Sequence, residues 1–254
     1  MMNKIFFFDI DGTLAIHGDI PPNNIMALQL LKKKGYLTFI CTGRAPYYAK
    51  ELFKDLVSGF VTCNGRYIIY NNEKLHGEAF DEDTLNHYLQ EFTSLHCGAL
   101  LVSDHVSVPY HLNEKEIKGL YKDYGKEHIS FDYNLPFYTF DIFYKNIEHR
   151  DKMITSFKNK LIINDHGGIG HADCSTLSFD KGDAIAYLLK YFHISKDNAY
   201  AFGDGYNDQA MFREVHHKIA MGNAVEILKE KATYITDDVD KDGIIKALKH
   251  EKIL

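Results

Sequence analysis

Two aspartates one residue apart, Asp9 and Asp11, end the apolar run Phe6-Phe7-Phe8 and are followed by Gly12-Thr13. Carboxylates held that close repel each other unless a cation sits between them or one keeps its proton. Either state is useful at an electrophilic centre. Three further polar clusters stand in comparable places: Thr42-Gly43-Arg44 after an apolar run, Lys181-Gly182 at the head of a helical pattern, and Gly203-Asp204-Gly205-Tyr206-Asn207-Asp208 after Ala199-Tyr200-Ala201-Phe202. Their chemistry is complementary. Carboxylates suit a hard cation such as Mg²⁺, whereas a hydroxyl, an ammonium, an amide and turn N–H groups suit phosphate oxygens. Plainer readings stand beside these. Asp9 and Asp11 can cap a turn, and Thr42 can be ordinary turn chemistry. Lys181 can be a solvated surface lysine, and Asp204 and Asp208 a helix cap and a first-turn carboxylate. Arg44 and Asn64 are equally open to a substrate contact or a structural role.

The clusters can meet only if the segments before them are neighbouring strands of one parallel sheet, whose carboxyl ends share an edge. The pattern agrees. Short apolar runs bounded by turn residues read as buried parallel strands, and positions two apart on a strand face the same side, as Asp9 and Asp11 would. After the first strand, Pro21-Pro22 ends a loop, Asn23 or Asn24 can cap a helix, and Gly35 stops it. A strand over 37–41, a helix over 45–56 and a strand over 60–63 complete a β-α-β-α-β run, the mark of an α/β fold with helices on both faces of a parallel sheet.

Around residue 66 the grammar changes. A hairpin is predicted around Asn71-Asn72-Glu73, helices over 83–95, 114–124 and 147–159, and strands over 99–103, 106–110, 137–144, 161–164 and 169–174, the last two joined through Gly167-Gly168 with His166 and His171 flanking the turn. Helices and paired strands in this order suggest an inserted α+β unit. The βα rhythm resumes near Asp180, with a helix over 183–192, strands over 199–202, 218–221 and 233–236, and helices over 224–231 and 243–249. The expected division is a core formed by 1–81 and 180–254, and an inserted domain over 82–179.

Composition narrows the function. The 254 residues are 45% hydrophobic and 25% charged, with a net charge of −6. That is ordinary for a globular protein and opposes a general nucleic-acid or anionic-membrane role. No apolar stretch is long enough to span a bilayer, and Met1-Met2-Asn3-Lys4 runs into the first strand without a signal-peptide pattern, so a cytoplasmic location is expected. Cys41, Cys63, Cys97 and Cys174 form no C-x-x-C pair and read as reduced thiols. Two decoys are set aside. Asp238-Val239-Asp240-Lys241-Asp242-Gly243 imitates an EF-hand loop but carries Lys249 where a bidentate glutamate is required, and the fourteen histidines form no zinc spacing.

Taken together, Asp9-Ile10-Asp11-Gly12-Thr13, Thr42-Gly43-Arg44 with Asn64-Gly65, Lys181-Gly182, Gly203-Asp204-Gly205-Tyr206-Asn207-Asp208 and Met221-Gly222-Asn223-Ala224 resemble, in order and over essentially the whole chain, the motifs of the haloacid-dehalogenase-like phosphohydrolases. The large gap before Lys181 is similar to that of the Cof-type branch, which inserts an α+β cap there. The resemblance implies a Rossmann-like core with a cap and a Mg²⁺-dependent phosphatase acting on a small phosphorylated metabolite through an aspartyl-phosphate. It implies Asp9 as nucleophile, Asp11 as acid and base, and Thr42, Gly43, Lys181 and Asn207 as phosphate-binding residues. It places the metal among Asp9, Asp11 (through its backbone carbonyl), Asp204 and Asp208, the last directly or through water. No nucleic-acid, membrane or protein partner is implied. A phosphomutase using the same motifs and a non-catalytic phosphometabolite sensor are the competing readings. A dehalogenase is disfavoured by Asp11 and the acidic fourth motif.

Overall fold

The computed structural model describes residues 4–165 and 170–254. His166, Gly167 and Gly168, the expected hairpin turn, lie outside the described residues. The chain opens with β1 (Ile5–Phe8), α1 (Pro22–Lys33), β2 (Leu37–Cys41), α2 (Pro46–Phe53), β3 (Gly59–Thr62), β4 (Tyr67–Tyr70) and β5 (Glu73–Gly77). It continues with α3 (Glu82–Leu95), β6 (Gly98–Val102), β7 (Ser107–Tyr110), α4 (Glu114–Tyr124), β8 (Thr139–Phe143), α5 (Ile147–Ser156), β9 (Leu161–Asp165) and β10 (His171–Thr176). It closes with α6 (Lys181–Phe192), β11 (Ala199–Gly203), α7 (Gln209–Glu214), β12 (His217–Ala220), α8 (Glu226–Lys229), β13 (Tyr234–Ile235) and α9 (Gly243–His250).

Two sheets result. The larger has the order β13-β12-β11-β1-β2-β3-β4-β5. Its strands are parallel from β13 to β3, and the β4–β5 hairpin adds an antiparallel edge. β1 alternates between two cores. Phe6 and Phe8 pack with Ala27, Leu28 and Leu31 of α1 and Ala247 and Leu248 of α9. Ile5 and Phe7 pack on the opposite face with Ala184, Ile185 and Leu188 of α6 and Met211 of α7. A strand buried on both faces needs apolar residues at every position, which is why Ile5–Phe8 carries no polar side chain. β1 lies between β2 and β11, so the chain leaves these neighbours in opposite directions. A crevice opens there at the carboxyl ends of the strands.

The smaller sheet, β7-β6-β8-β10-β9, is antiparallel throughout. One face packs on α3 and α5 through Phe92, Phe140, Ile142, Phe157 and Cys174. The other turns toward the large sheet: Val102 and Tyr138 belong to the same buried cluster as Phe8 and Tyr47. Among the described residues no helix is long and apolar enough to cross a membrane.

Several local expectations are corrected. Neither Asn23 nor Asn24 caps α1. Pro21 stands at its N-cap and Pro22 opens it, a position where proline's fixed φ helps and its missing N–H costs nothing. Asn24 instead buries its side chain, donating to the Leu14 carbonyl at 3.1 Å, and Asn23 donates to Asp242 at 2.6 Å. The helix over 45–56 is confined to Pro46–Phe53, the strand over 233–236 to two residues, and the helix over 224–231 to Glu226–Lys229. The short helix α7 was not anticipated.

Candidate active site

The carboxyl end of β1 delivers Asp9, still in the ladder through its N–H to the Phe202 carbonyl at 3.1 Å, and that of β11 delivers Asp204 beside it. Gly12, at φ +85°, lets the chain turn between them. A Cβ there would lie 2.2 Å from Asp204 Oδ2, so no other residue allows this approach. Thr13 Oγ1 donates to Asp204 Oδ1 at 2.8 Å.

Lys181 opens α6, whose N-cap Asp180 forms a capping box with Asp183. Its side chain is not on the surface: it is 1% exposed, and its Nζ donates to Asp9 Oδ1 at 2.7 Å and to Asp208 Oδ1 at 2.8 Å. Asp208 is wholly buried, and its second oxygen accepts the N–H groups of Asp204 and Gly205, both at 2.9 Å. It therefore anchors the fourth-motif loop and the lysine together.

Asp9, Asp204 and Asp208 each offer a carboxylate oxygen, and these atoms lie within 4.8 Å of one another. Burial pushes the Asp9 carboxyl well above the usual range; Lys181 opposes this, and Asp208 and Asp204 add to it. Burial, reinforced by Asp208 and countered by Thr13 and Lys181, raises Asp204 to about 7. Burial works against the charge on Lys181, but Asp208 and Asp9 outweigh it and hold the ammonium protonated. One buried cation among three carboxylates leaves unbalanced negative charge, and the donors are all oxygen. The set fits a hard divalent cation of the Mg²⁺ type.

Asp11 goes elsewhere. Arg44 Nε and Nη2 donate to its two oxygens at 2.9 and 3.1 Å. Thr42, buried at the end of β2, accepts the Arg44 N–H on its Oγ1 at 3.1 Å. Asn64 adopts a left-handed conformation (φ 51°, ψ 37°) in the turn after β3. Its Nδ2 donates to Asp173 Oδ2 at 2.6 Å and to the Cys174 carbonyl at 3.2 Å, and its Oδ1 accepts from Asn207 at 3.2 Å. It ties the second and fourth motifs to β10 from behind the wall.

Asp9, Asp11, Thr42, Gly43, Arg44, Asp204 and Asn207 all face one cavity of about 360 Å³, while Lys181, Asp208 and Asn64 support it from outside. The small sheet roofs it with Leu100, Val102, Asp141, His171 and Asp173, and Ser107, Tyr124 and Tyr47 close its side. Contacts across the seam hold the roof down. Tyr47 and Ser107 share a hydrogen bond at 2.8 Å, His128 stacks on Tyr47 at 4.2 Å, and Arg66 donates to Thr176 at 3.3 Å. None of the roof residues was singled out from the sequence as lining a site. A signal existed in β8, where Asp141 stands between the core residues Phe140 and Ile142 and must face the other way. Asp173 is its register partner on β10.

Comparisons place this architecture. The profile of the haloacid dehalogenase-like hydrolases matches residues 6–248. The chain is 28% identical to the putative phosphatase YkrA of Bacillus subtilis over the full length of both. It is 29% identical to the 5-amino-6-(5-phospho-D-ribitylamino)uracil phosphatase YcsE of the same organism, over 97% of this chain and 95% of that one. The solved structure of a sugar phosphatase of HAD subclass IIB superposes with a TM-score of 0.83 at 28% identity, covering 99% of this chain and 100% of the other.

Proposed function

We propose that this chain, which belongs to the haloacid dehalogenase-like hydrolases and is a phosphatase of that family, hydrolyses a small phosphorylated metabolite through a covalent phosphate on Asp9. The observation that carries the reading is the placement of Asp9: a buried carboxylate held through Oδ1 by Lys181 that lines the cavity. The sugar phosphatase and the ribitylaminouracil phosphatase among the similar proteins support a metabolite-sized substrate, as does a cavity of about 360 Å³, within the small-molecule range. The four cysteines are free and buried, which supports a reducing, cytoplasmic setting.

Each residue has a task. Lys181 fixes Asp9 so that Oδ2 attacks phosphorus in line with the leaving oxygen. Asp11 gives that oxygen a proton, then takes one from the water that attacks the aspartyl-phosphate, releasing inorganic phosphate and restoring Asp9. The Thr42 hydroxyl, the Gly43 N–H and the Asn207 amide meet the phosphoryl oxygens. Asp9, Asp204 and the Asp11 backbone would hold Mg²⁺, which supplies positive charge against the phosphoryl group. Asp208, whose oxygens already accept three hydrogen bonds, supports the site from behind. The unit over 82–179 acts as a lid that excludes water and carries specificity in its roof residues.

Asp11→Asn tests the acid assignment. Turnover of alkyl phosphates should fall about 10²–10⁴-fold, and that of aryl phosphates, whose leaving groups need less protonation, much less. Equal losses for both would remove Asp11 from the role.

The metal assignment is tested separately. Phosphate release should need Mg²⁺, stop with chelator and not return with Ca²⁺, whose larger, looser shell disturbs the in-line alignment. Asp204 must shed its proton to bind a cation, and its carboxyl lies at about 7 without one. Mg²⁺ affinity should therefore weaken as pH falls below 7, approaching about tenfold per pH unit for one displaced proton. Calorimetric titrations at pH 6 and pH 8 check this, and equal affinities would contradict it.

A further inference from the structure

Arg44 is one of the side chains that meet at the seam between the two units. Its fork holds both oxygens of Asp11, and its remaining nitrogen, Nη1, donates to Tyr124 Oη at 3.2 Å. Tyr124 is the last residue of α4, so this bond joins the smaller unit to the core. The guanidinium also lies over the Tyr48 ring at 5.1 Å, and Tyr124 meets Tyr47 and Tyr48 edge-on at 6.3 and 6.0 Å. The backbone at Arg44 is fixed as well, through its N–H to Thr42 Oγ1 at 3.1 Å. A planar fork restrained at its base, on its face and at its free nitrogen can present Asp11 in one orientation only.

We infer that Arg44 is a positioning residue for Asp11, and that Tyr124 makes its hold depend on the docked smaller unit. With the lid docked, three partners orient the guanidinium, and the Asp11 carboxylate is set against the cavity. With the lid lifted, the Tyr124 bond is lost and Asp11 gains freedom to swing. Proton transfer to the leaving group is then efficient only under a closed lid. The inference rests on the reading of Asp11 as the acid, and it gives Arg44 an indirect task in place of a substrate contact.

The experiment compares kcat for n-butyl phosphate and 4-nitrophenyl phosphate in the full-length protein and in Asp11→Asn, Arg44→Lys, Tyr124→Phe and the Arg44→Lys/Tyr124→Phe double variant. Lysine keeps the charge but cannot bind both oxygens, and phenylalanine keeps the ring but not the hydroxyl. Arg44→Lys should lower the butyl-to-nitrophenyl ratio of kcat by about tenfold, the scale of one charge-assisted hydrogen bond. Tyr124→Phe should lower it in the same direction by about threefold. The double variant should be no worse than Arg44→Lys, because Tyr124 acts through Arg44. An unchanged or raised ratio overturns the inference, as does an additive double variant. A rise in KM shared by both esters with the kcat ratio intact would make Arg44 a direct phosphate ligand and also overturn it. If Asp11→Asn itself leaves the ratio unchanged, the acid assignment fails first; if it shifts the ratio and the Arg44 and Tyr124 variants do not, only the inference fails.

Discussion

Asp9→Asn should reduce turnover by at least about 10⁴-fold while leaving the protein as stable as before or more so. The amide has the shape of the carboxylate but no anionic oxygen to attack phosphorus, and loss of a nucleophile removes the covalent route altogether. Stability should not suffer, because burial, Asp208 and Asp204 together outweigh Lys181 in working against the charge on Asp9, and Asp208 remains to pair with the lysine. A neutral isostere relieves that repulsion. Steady-state phosphate release, thermal unfolding, and trapping of a phosphorylated aspartate in the unmodified protein but not the variant would together check the assignment. A variant retaining a tenth of the original kcat would exclude Asp9 as nucleophile.

Lys181→Met should damage both stability and activity. The ammonium lies between Asp9 and Asp208 with almost no exposure, so its loss leaves two buried carboxylates without their shared cation. Breaking such a pair from one side costs about 3–5 kcal/mol, which for a chain of this size lowers Tm by roughly 10 °C. The sign of the pH effect follows from the same charges. The penalty arises from ionised carboxylates, so it should be largest at pH 8 and shrink toward pH 5 as Asp9, whose carboxyl burial holds well above the usual range, takes up a proton. Added Mg²⁺ should recover part of the loss by binding the folded state. Activity should fall about 10³-fold, because the nucleophile is no longer oriented and a positive charge is missing. Unfolding at pH 8 indistinguishable from the unmodified protein would mean that the lysine does not neutralise this pair.

How far these assignments were legible from residues alone depended on the element. β1, β2 and β11 announced themselves because parallel strands covered on both faces are uninterrupted apolar runs, and the polar groups after them could only fall on one edge. Lys181 was locatable by its place at the head of α6, yet its burial was not, since a helix's first residue is normally solvated and only the tertiary approach of Asp9 and Asp208 makes it otherwise. The short elements failed for a physical reason. Tyr234–Ile235 makes a two-residue strand because β12 is its one partner at the sheet edge, and pairing, not local preference, sets its length. Asn24 has a residue type that favours caps, but a buried carbonyl from Leu14 claimed its amide. The roof was hidden more deeply. Asp141, His171 and Asp173 come from two strands whose register is set by antiparallel pairing across distant segments, and no linear spacing encodes that they face the same cavity.

The position of β1 bears on how the molecule comes into being. β1 is made before either of the strands it pairs with, and β2 can join it soon afterwards. Its other neighbour is made much later, for Ile5 pairs with Ala199 and Phe8 with Phe202. At synthesis rates of about 5–20 residues per second, the interval is roughly ten to forty seconds. Throughout it, a strand of one isoleucine and three phenylalanines presents an unsatisfied edge, the kind of surface that recruits other chains. A nascent chain that stalls before residue 199 holds Asp9 but neither Asp204 nor Asp208, and so lacks most of the carboxylate cluster. The carboxylate cluster is complete only once residue 208 has been made, and products that stop short of it should be inert and prone to aggregate rather than partly active.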